Sequence, residues 1–159
     1  MMIISDRLEW ISKQSDFPLW IASIAENNIC ELSRASGFQI DTENRTIAIF
    51  LPQSMFSMIE PTLKANSKIS LLMASLKDFE SYQVKGSYLR HSLSTEEQVD
   101  FYYENIKKTI EEINVLGLYG EGILGYLLEK PSFAITMKYE EVFEQTPKPG
   151  TGHKISDLA

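Results

Sequence analysis

The segment from Arg45 to Gly86 constrains the fold of this chain more than any other part of the sequence. Its first apolar run, Ile47 to Leu51, predicts a strand, and the run Ile69 to Ala74 predicts another. Between them, a Pro/Ser break precedes a short predicted helix from Met55 to Ala65. Ser81 to Gly86 follows as a further extended segment. On spacing alone, this order predicts a domain that mixes helices and strands, and it does not point to a chemistry.

The N-terminal part of the chain predicts a helix and a β-hairpin. Ser5 suits the N-cap of a short helix that reaches about Gln14. Two β-like runs, Leu19 to Ala25 and Ile29 to Ala35, flank the turn pair Asn27-Asn28, so we expect a hairpin. The second run alternates in the manner of a strand, and one of its faces carries Cys30, Leu32 and Arg34.

The C-terminal half predicts a long amphipathic helix and a last strand. Ser94 stands where an N-cap would, with Glu97 at the third helical position, as in a capping box. Apolar side chains then recur at three- and four-residue spacing: Val99, Tyr102, Tyr103, Ile106, Ile110 and Ile113. Gly117 is expected to end this helix. The segment from Gly117 to Glu129 stays open between loop and helix, and Ser132 to Lys138 predicts the last strand.

The element order, β-β-β-α-β-β-α-β with short turns, predicts an antiparallel barrel with helices at its ends. The fold class is therefore α+β, mostly β with helices. No internal repeat, low-complexity segment or linker interrupts the sequence, so we expect a single domain over residues 1–159.

The charge balance of the chain limits the classes of partner that we expect it to bind. With a formal net charge of −7 and a pI near 4.9, the chain is not expected to bind nucleic acid, which requires clustered lysines and arginines. No apolar run approaches the roughly 18 residues of a membrane span. The N-terminus turns charged at once and has no apolar stretch of signal-peptide length, so we expect a cytoplasmic protein without a membrane partner.

Cysteine and histidine usage argues against a metal site. Cys30 is the only cysteine, which excludes an intrachain disulfide and a Cys-rich zinc site, and we expect it to be a small core residue. His91 and His153 are far apart and have no ligand-like neighbours in sequence, so no metal is expected.

Four short motifs, in this order and spacing, resemble the FMN-binding split-barrel superfamily of the pyridoxamine 5′-phosphate oxidases. They are Ser33 to Gly37, Leu51 to Ser54, Gln83 to Gly86, and Glu144 to Gly152. The last one is similar to a Gln-Thr-Pro-Gly-Pro-x-Ala-Gly tail in a bacterial branch of flavin-nucleotide-binding proteins. It departs from that tail at Lys148 and Thr151. The resemblance covers most of the chain.

The resemblance implies an antiparallel split barrel, a homodimer, and an FMN cofactor at the subunit interface. It implies that the cofactor is bound by Arg34, Ser36, Leu51, Pro52, Gln53, Ser54, Gln83 and Lys85. These residue types suit a mononucleotide, because an arginine fork, hydroxyls and helix N-terminal amides bind phosphate. The flavin would carry out the redox chemistry, so no catalytic acid or base is named and the small-molecule substrate is unknown.

Other interpretations of the same residues stay open. Arg34 is either a phosphate ligand or the partner of a carboxylate such as Glu31 or Asp41. Ser54 is either a ligand or only an N-cap, and Lys85 is either a ligand or solvated.

One departure bears on the cofactor itself. Many members have Ser-Arg-Lys where this chain has Ser54-Met55-Phe56, so two cations are missing. The alternative functions are thus a non-catalytic binding or regulatory module with an eroded flavin site, or a haem or deazaflavin binder. True pyridoxamine phosphate oxidase activity is not expected, because the substrate-binding arginine and histidine of those enzymes have no counterpart here.

Overall fold

Seven antiparallel strands form one sheet in the computed structural model, in the order β2-β1-β5-β6-β7-β4-β3. The structure describes residues 4–14, 18–122 and 129–155. The elements are α1 Ile4–Ser12, β1 Leu19–Ile24, β2 Cys30–Ala35, β3 Gly37–Asp41, β4 Thr46–Leu51, α2 Gln53–Asn66, β5 Lys68–Ala74, β6 Ser81–Leu93, α3 Glu96–Val115 and β7 Phe133–Glu144. The predicted α+β class and the antiparallel sheet are confirmed. In the described part of the chain, no helix has the length and apolar character needed to cross a membrane.

The two edge strands of this sheet are neighbours in the chain. β2 ends at Ala35 and β3 begins at Gly37, yet the strands stand at opposite edges of the sheet. Ser36 is the only residue between them, and its N–H donates to the carbonyl of Phe50 on β4 (2.8 Å). A single residue cannot span a flat seven-stranded sheet, because neighbouring strands lie about 4.8 Å apart. The sheet must therefore curl until its two edges meet.

Several predicted boundaries needed correction. The strand β3 was missed, because Gln39 and Asp41 on its outer face leave only two apolar side chains in a five-residue run. The strands β6 and β7 are longer than predicted and extend to Leu93 and Glu144. Residues 123–128 of the open Gly117–Glu129 segment lie outside the described part of the chain.

The helix starts also differ from the predictions. Ser5 lies inside α1. α2 begins at Gln53 with Pro52 at the N-cap, so Ser54 is not a capping residue. The capping box of α3 is one residue later than predicted, with Thr95 accepting from the Gln98 amide and Gln98 accepting in return. The Asn27-Asn28 hairpin is confirmed, and Asn28 adopts the left-handed conformation that such a tight turn favours (φ 64°).

The inside of the curl is the hydrophobic core. Each of the seven strands contributes at least one buried residue to it, and the helices α1 and α2 add Leu8, Ile11, Phe56, Ile59 and Leu63 to the same cluster. On β2 the inward residues are Ser33 and Ala35, so Cys30 points outward and is exposed. The prediction of a core cysteine is therefore wrong. Cys30 shares the solvent side of β2 with Leu32 and Arg34, as the alternation predicted.

A partly buried ion pair ties α1 to the sheet. The Arg7 guanidinium binds both carboxylate oxygens of Glu80, just before β6, and Tyr82 donates its hydroxyl to Glu80 (2.8 Å). The hydrogen bond from Arg7 is the main cause that lowers the pKa of Glu80. Burial raises the pKa of Tyr82 to about 12, so this phenol stays a neutral donor.

Gly86 marks a place where two backbones come unusually close. The pairing of β6 with β7 shifts register between Lys85 and Gly86. A Cβ added to Gly86 would lie 1.9 Å from the carbonyl oxygen of Lys138. The glycine in the Gln83–Gly86 motif is therefore required by the close approach of the neighbouring strand.

We predict that Gly86→Ala destabilises the fold by roughly 2 kcal/mol or more, because backbone atoms must move to admit the methyl group. Gly150→Ala is the control: its glycine has φ 84° but nothing within 4 Å of an added Cβ. That control should cost only about 1 kcal/mol of conformational strain. Urea unfolding of both variants measures the difference. Equal losses would contradict the steric explanation.

Candidate functional site

The strands β2, β1, β5 and β6 carry a shallow groove on the outer face of the sheet. Their register aligns one residue from each strand in a single row: Arg34, Trp20, Leu72 and Gln83. Three strand spacings separate the ends of this row, which places the backbones of Arg34 and Gln83 about 14 Å apart. The fold thus brings two predicted site residues onto one face, with apolar side chains between them.

A second row lies beside the first and completes the groove. It consists of Leu32, Ala22, Ser70 and Lys85. The groove holds about 330 Å³ and is lined by Trp20, Ala22, Leu32, Ser70, Leu72 and Gln83. This volume is at the lower end of the range for small-molecule sites. The floor is mostly apolar, and the polar groups stand at its edges.

The amide of Gln83 is held from two sides. Its Nε2 donates to the hydroxyl of Ser70 (3.0 Å), and its Oε1 accepts from Nε2 of Gln145 (3.3 Å). An amide held in this way presents its remaining donor and acceptor in a defined direction. Gln83 is therefore suited to recognise a polar edge of a flat ligand.

Lys85 is exposed at the same end of the groove. Its Nζ lies 4.4 Å from the ring centroid of Phe143, within the range of a cation–π contact. Its charge adds a small attraction to Glu141, whose pKa is lowered mainly by a hydrogen bond from Lys154. Lys85 is thus loosely placed by its neighbours and keeps its ammonium in water.

Arg34 and Ser36 stand at the opposite end, next to the junction of the two sheet edges. Of the two carboxylates predicted as alternative partners of Arg34, Glu31 lies on the other face of β2, and Asp41 accepts from the amides of Asn44 (2.9 and 2.7 Å). Burial raises the pKa of Tyr102 on α3, and the nearby positive charge of Arg34 opposes that rise.

The hydroxyl oxygen of Ser36 is buried and has no hydrogen-bond partner among the residues that the structure describes. A buried hydroxyl without a partner is costly, so Ser36 has unused hydrogen-bonding capacity near this junction.

The other predicted site residues lie at the start of α2. Leu51 is fully buried in the core and Pro52 is buried, whereas Gln53 and Ser54 are exposed in the first helical turn. Because Ser36 bonds to Phe50, this helix start lies beside the end of β2. Only Gln53 and Ser54 therefore offer side chains to solvent here, and Leu51 and Pro52 serve to place them.

Phe56 is part of the core. It is 3% exposed, stacks on Phe133 with a centroid distance of 4.2 Å, and lies 4.7 Å from the ring of His91. Met55 is half-buried against the same cluster. Phe56 thus packs the helix against the barrel, and a cation at this position would point inward.

Five groove-lining residues were not predicted as site residues: Trp20, Ala22, Leu32, Ser70 and Leu72. Their signal was the alternation along β1, β2 and β5, where the residues between the buried ones must face outward. In the sequence, Gln145 stands out only as part of the tail motif. Its contact with Gln83 could not be predicted from a local pattern, because the two residues are 62 positions apart.

A larger cleft of about 540 Å³ lies on the other half of the sheet, between α1 and α3. Its lining includes Gln39, Thr46, Arg90 and Thr136, and none of the predicted site residues. Within residues 4–14, 18–122 and 129–155, no three His, Cys, Asp or Glu side chains are grouped so as to hold a metal ion. The groove is therefore the candidate site.

Comparison with known proteins identifies the fold. No family model matches the chain. No curated protein matches it either. Among solved structures, HupZ of Group A Streptococcus is 10% identical, with 96% of this chain and 99% of that chain covered and a TM-score of 0.54. An F420 reductase is 10% identical, with 84% and 94% covered and a TM-score of 0.51.

A pyridoxamine 5′-phosphate oxidase-related, FMN-binding protein from Nostoc punctiforme is 9% identical, with 95% and 85% covered and a TM-score of 0.49. At such low identity, structural likeness speaks for the fold alone. The comparison thus supports the predicted fold, an α+β domain built on one antiparallel sheet.

We predict that Phe56→Lys lowers the free energy of unfolding by about 3 kcal/mol or more, since it removes a packed ring and buries a charge. Met55→Arg should cost less, because a half-buried position lets the guanidinium reach water. Urea unfolding measures both, and FMN titration shows whether either gains affinity. Tighter FMN binding by a Phe56→Lys variant of unchanged stability would contradict the assignment of Phe56 to the core.

Proposed function

We propose that this protein binds FMN in the groove on β2, β1, β5 and β6. The observation that carries the proposal is the register row from Arg34 to Gln83, which places a cation and an oriented amide at the two ends of an apolar floor. A flavin mononucleotide has the matching chemistry: an anionic phosphate at one end and a flat ring with a polar edge at the other.

The residues present fit this cofactor group by group. Arg34 supplies a guanidinium fork for phosphate oxygens, and the orphan hydroxyl of Ser36 supplies a donor beside it. The exposed start of α2, with Gln53 and Ser54, adds free backbone amides near the same junction. Trp20 and Leu72 pack against the flavin ring, and Gln83 forms hydrogen bonds with its polar edge. Lys85 adds a positive charge.

The groove is half of a site, because one chain leaves its apolar floor open. Leu32 is 59% exposed, and Trp20 beside it is only half-buried. Apolar surface of this kind marks an interface. We therefore propose a twofold homodimer in which a second copy of the chain covers the flavin, since isologous pairing is the commonest arrangement.

The reaction class that follows is a flavin-dependent oxidoreduction of an unknown small molecule. Bound FMN would supply the electron transfer, and the residues of this chain bind the cofactor, orient its ring and exclude water from one face. A second candidate is a non-catalytic binding module. The sequence at the start of α2 favours it, because Ser54-Met55-Phe56 contains no cation that would strengthen phosphate binding.

We predict that the purified protein binds FMN and that Arg34→Ala weakens this affinity roughly ten- to hundredfold, the loss of one charge-assisted contact. Arg90→Ala is the matched control, because Arg90 is an exposed arginine on the other half of the sheet. Isothermal titration calorimetry measures both. Unchanged affinity in Arg34→Ala would place the phosphate elsewhere.

The visible spectrum separates the alternatives. A yellow protein supports a flavin, a red-brown one supports haem, and a protein that stays colourless after FMN addition supports the binding module without flavin.

We predict a dimer at micromolar concentration, with twice the 18.1 kDa mass of the chain. Leu32→Glu should shift it to the monomer, because a charge would be buried against the apolar side chains of the proposed interface. Light scattering of the wild type and the variant tests this. A wild-type monomer would contradict both the dimer and the interfacial flavin site.

A further inference from the structure

The C-terminal loop, residues 145–153, is a closed structure built on the end of β7. The N–H of Gly152 donates to the carbonyl of Glu144 (2.8 Å), and the N–H of Glu144 donates to His153 (3.1 Å). Beyond it, Ile155 donates to Val142 (2.8 Å), so the chain returns antiparallel to β7. The Glu144 carboxylate also holds Lys148 and lies 3.4 Å from Nε2 of His153. These backbone hydrogen bonds and the ion pair between Glu144 and Lys148 keep this loop in one place.

The same loop is attached to the start of β6. The N–H of Gln145 donates to the carbonyl of Ser81 (2.8 Å), and the N–H of Ser81 donates to the Thr146 hydroxyl oxygen (3.1 Å). Thr151 donates its hydroxyl to the carbonyl of Thr146 (2.6 Å) and braces this residue. The backbone of Gln145 is therefore fixed two residues from Gln83, at the edge of the groove.

We propose that Gln145 is a positioning residue that, together with Ser70, sets the direction of the Gln83 amide. The groove then selects ligands that carry a hydrogen-bond donor next to an acceptor, such as the imide edge of a flavin. This inference rests on the proposed function, since it assigns a ligand to the same groove.

The hydrogen-bond inventory supports this role. Gln83 uses one N–H for Ser70 and one lone pair for Gln145, which leaves one N–H and one lone pair for a ligand. Rotating the Gln83 amide by half a turn would exchange the positions of this N–H and this lone pair. Because the bonds to Ser70 and Gln145 are made before a ligand arrives, the ligand need not order this side chain, and binding is stronger for that reason.

The first test is a double-mutant cycle on FMN affinity with Gln145→Leu, Gln83→Leu and the double variant. Gln145→Leu should weaken FMN about three- to tenfold, the effect of one neutral hydrogen bond. The double variant should bind no more weakly than Gln83→Leu, because Gln145 acts through Gln83. Gln14→Leu is the matched control, since the Gln14 amide bonds to the carbonyl of Trp10 on α1. Additive losses would overturn the proposal and indicate a direct ligand contact.

The second test is selectivity between FMN and its N3-methyl derivative, which lacks the imide donor. The wild type should favour FMN, and Gln145→Leu should narrow the ratio of the two affinities severalfold. A general loss of structure would weaken both ligands alike and leave the ratio unchanged, and that result would also overturn the proposal.

Unfolding in urea separates this inference from the proposed function. A wild type that binds neither flavin would refute the FMN proposal alone. The contact between the two glutamines is then tested without ligand. Gln145→Leu should raise the equilibrium constant for unfolding severalfold in the wild-type background. It should have little effect on that constant in the Gln83→Leu background. Equal effects in both backgrounds would overturn the positioning role.

Discussion

The chain passes from β2 to β3 through a single residue, Ser36, and this short connection governs the shape of the whole sheet. The two strands occupy opposite edges of a seven-stranded sheet, and one residue connects them. The hydrogen bond from Ser36 to Phe50 closes the junction. Curling follows from this connectivity, and curling gives every strand an inner and an outer face with different surroundings. It also brings the start of α2 beside the end of β2, where the phosphate of the proposed cofactor would lie.

The curl accounts for the unusual placement of side chains on β2, where a polar residue faces the core and apolar residues face solvent. Ser33 points into the barrel, whereas Cys30 and Leu32 face solvent. On neighbouring β1, the inward Ser23 is satisfied by a hydrogen bond to Thr62 of α2. An edge strand with small polar residues inside the barrel and apolar residues outside it contributes little to the stability of a single chain. That cost becomes reasonable if the outer face is covered by a ligand and a second copy of the chain, which is the arrangement we propose.

The recognition that we propose for the groove would depend on parts that are distant in sequence. Arg34 comes from the second strand, Gln83 from the sixth, and Gln145 from the loop after the seventh. Each is held by backbone pairing, and the C-terminal loop adds a rigid frame around Gln145. The proposed site would therefore be ordered before a ligand binds, and its selectivity would arise from the fixed direction of a few polar groups on an apolar floor.

Elements with a local signal could be predicted from the sequence without the structure. The hairpin at Asn27-Asn28, the long helix after Ser94 and the alternation of β2 all follow from turn chemistry, capping and periodicity within about a dozen residues. The motifs also indicated the fold, and a glycine in one of them, Gly86, lies where the neighbouring strand leaves no room for a Cβ. Tertiary structure alone decided the existence of β3, the exposure of Cys30, the burial of Phe56 and the meeting of Gln145 with Gln83. The physical reason is that burial and register come from contacts between strands far apart in the chain, and no local pattern of side chains records which face of a strand the curl will enclose.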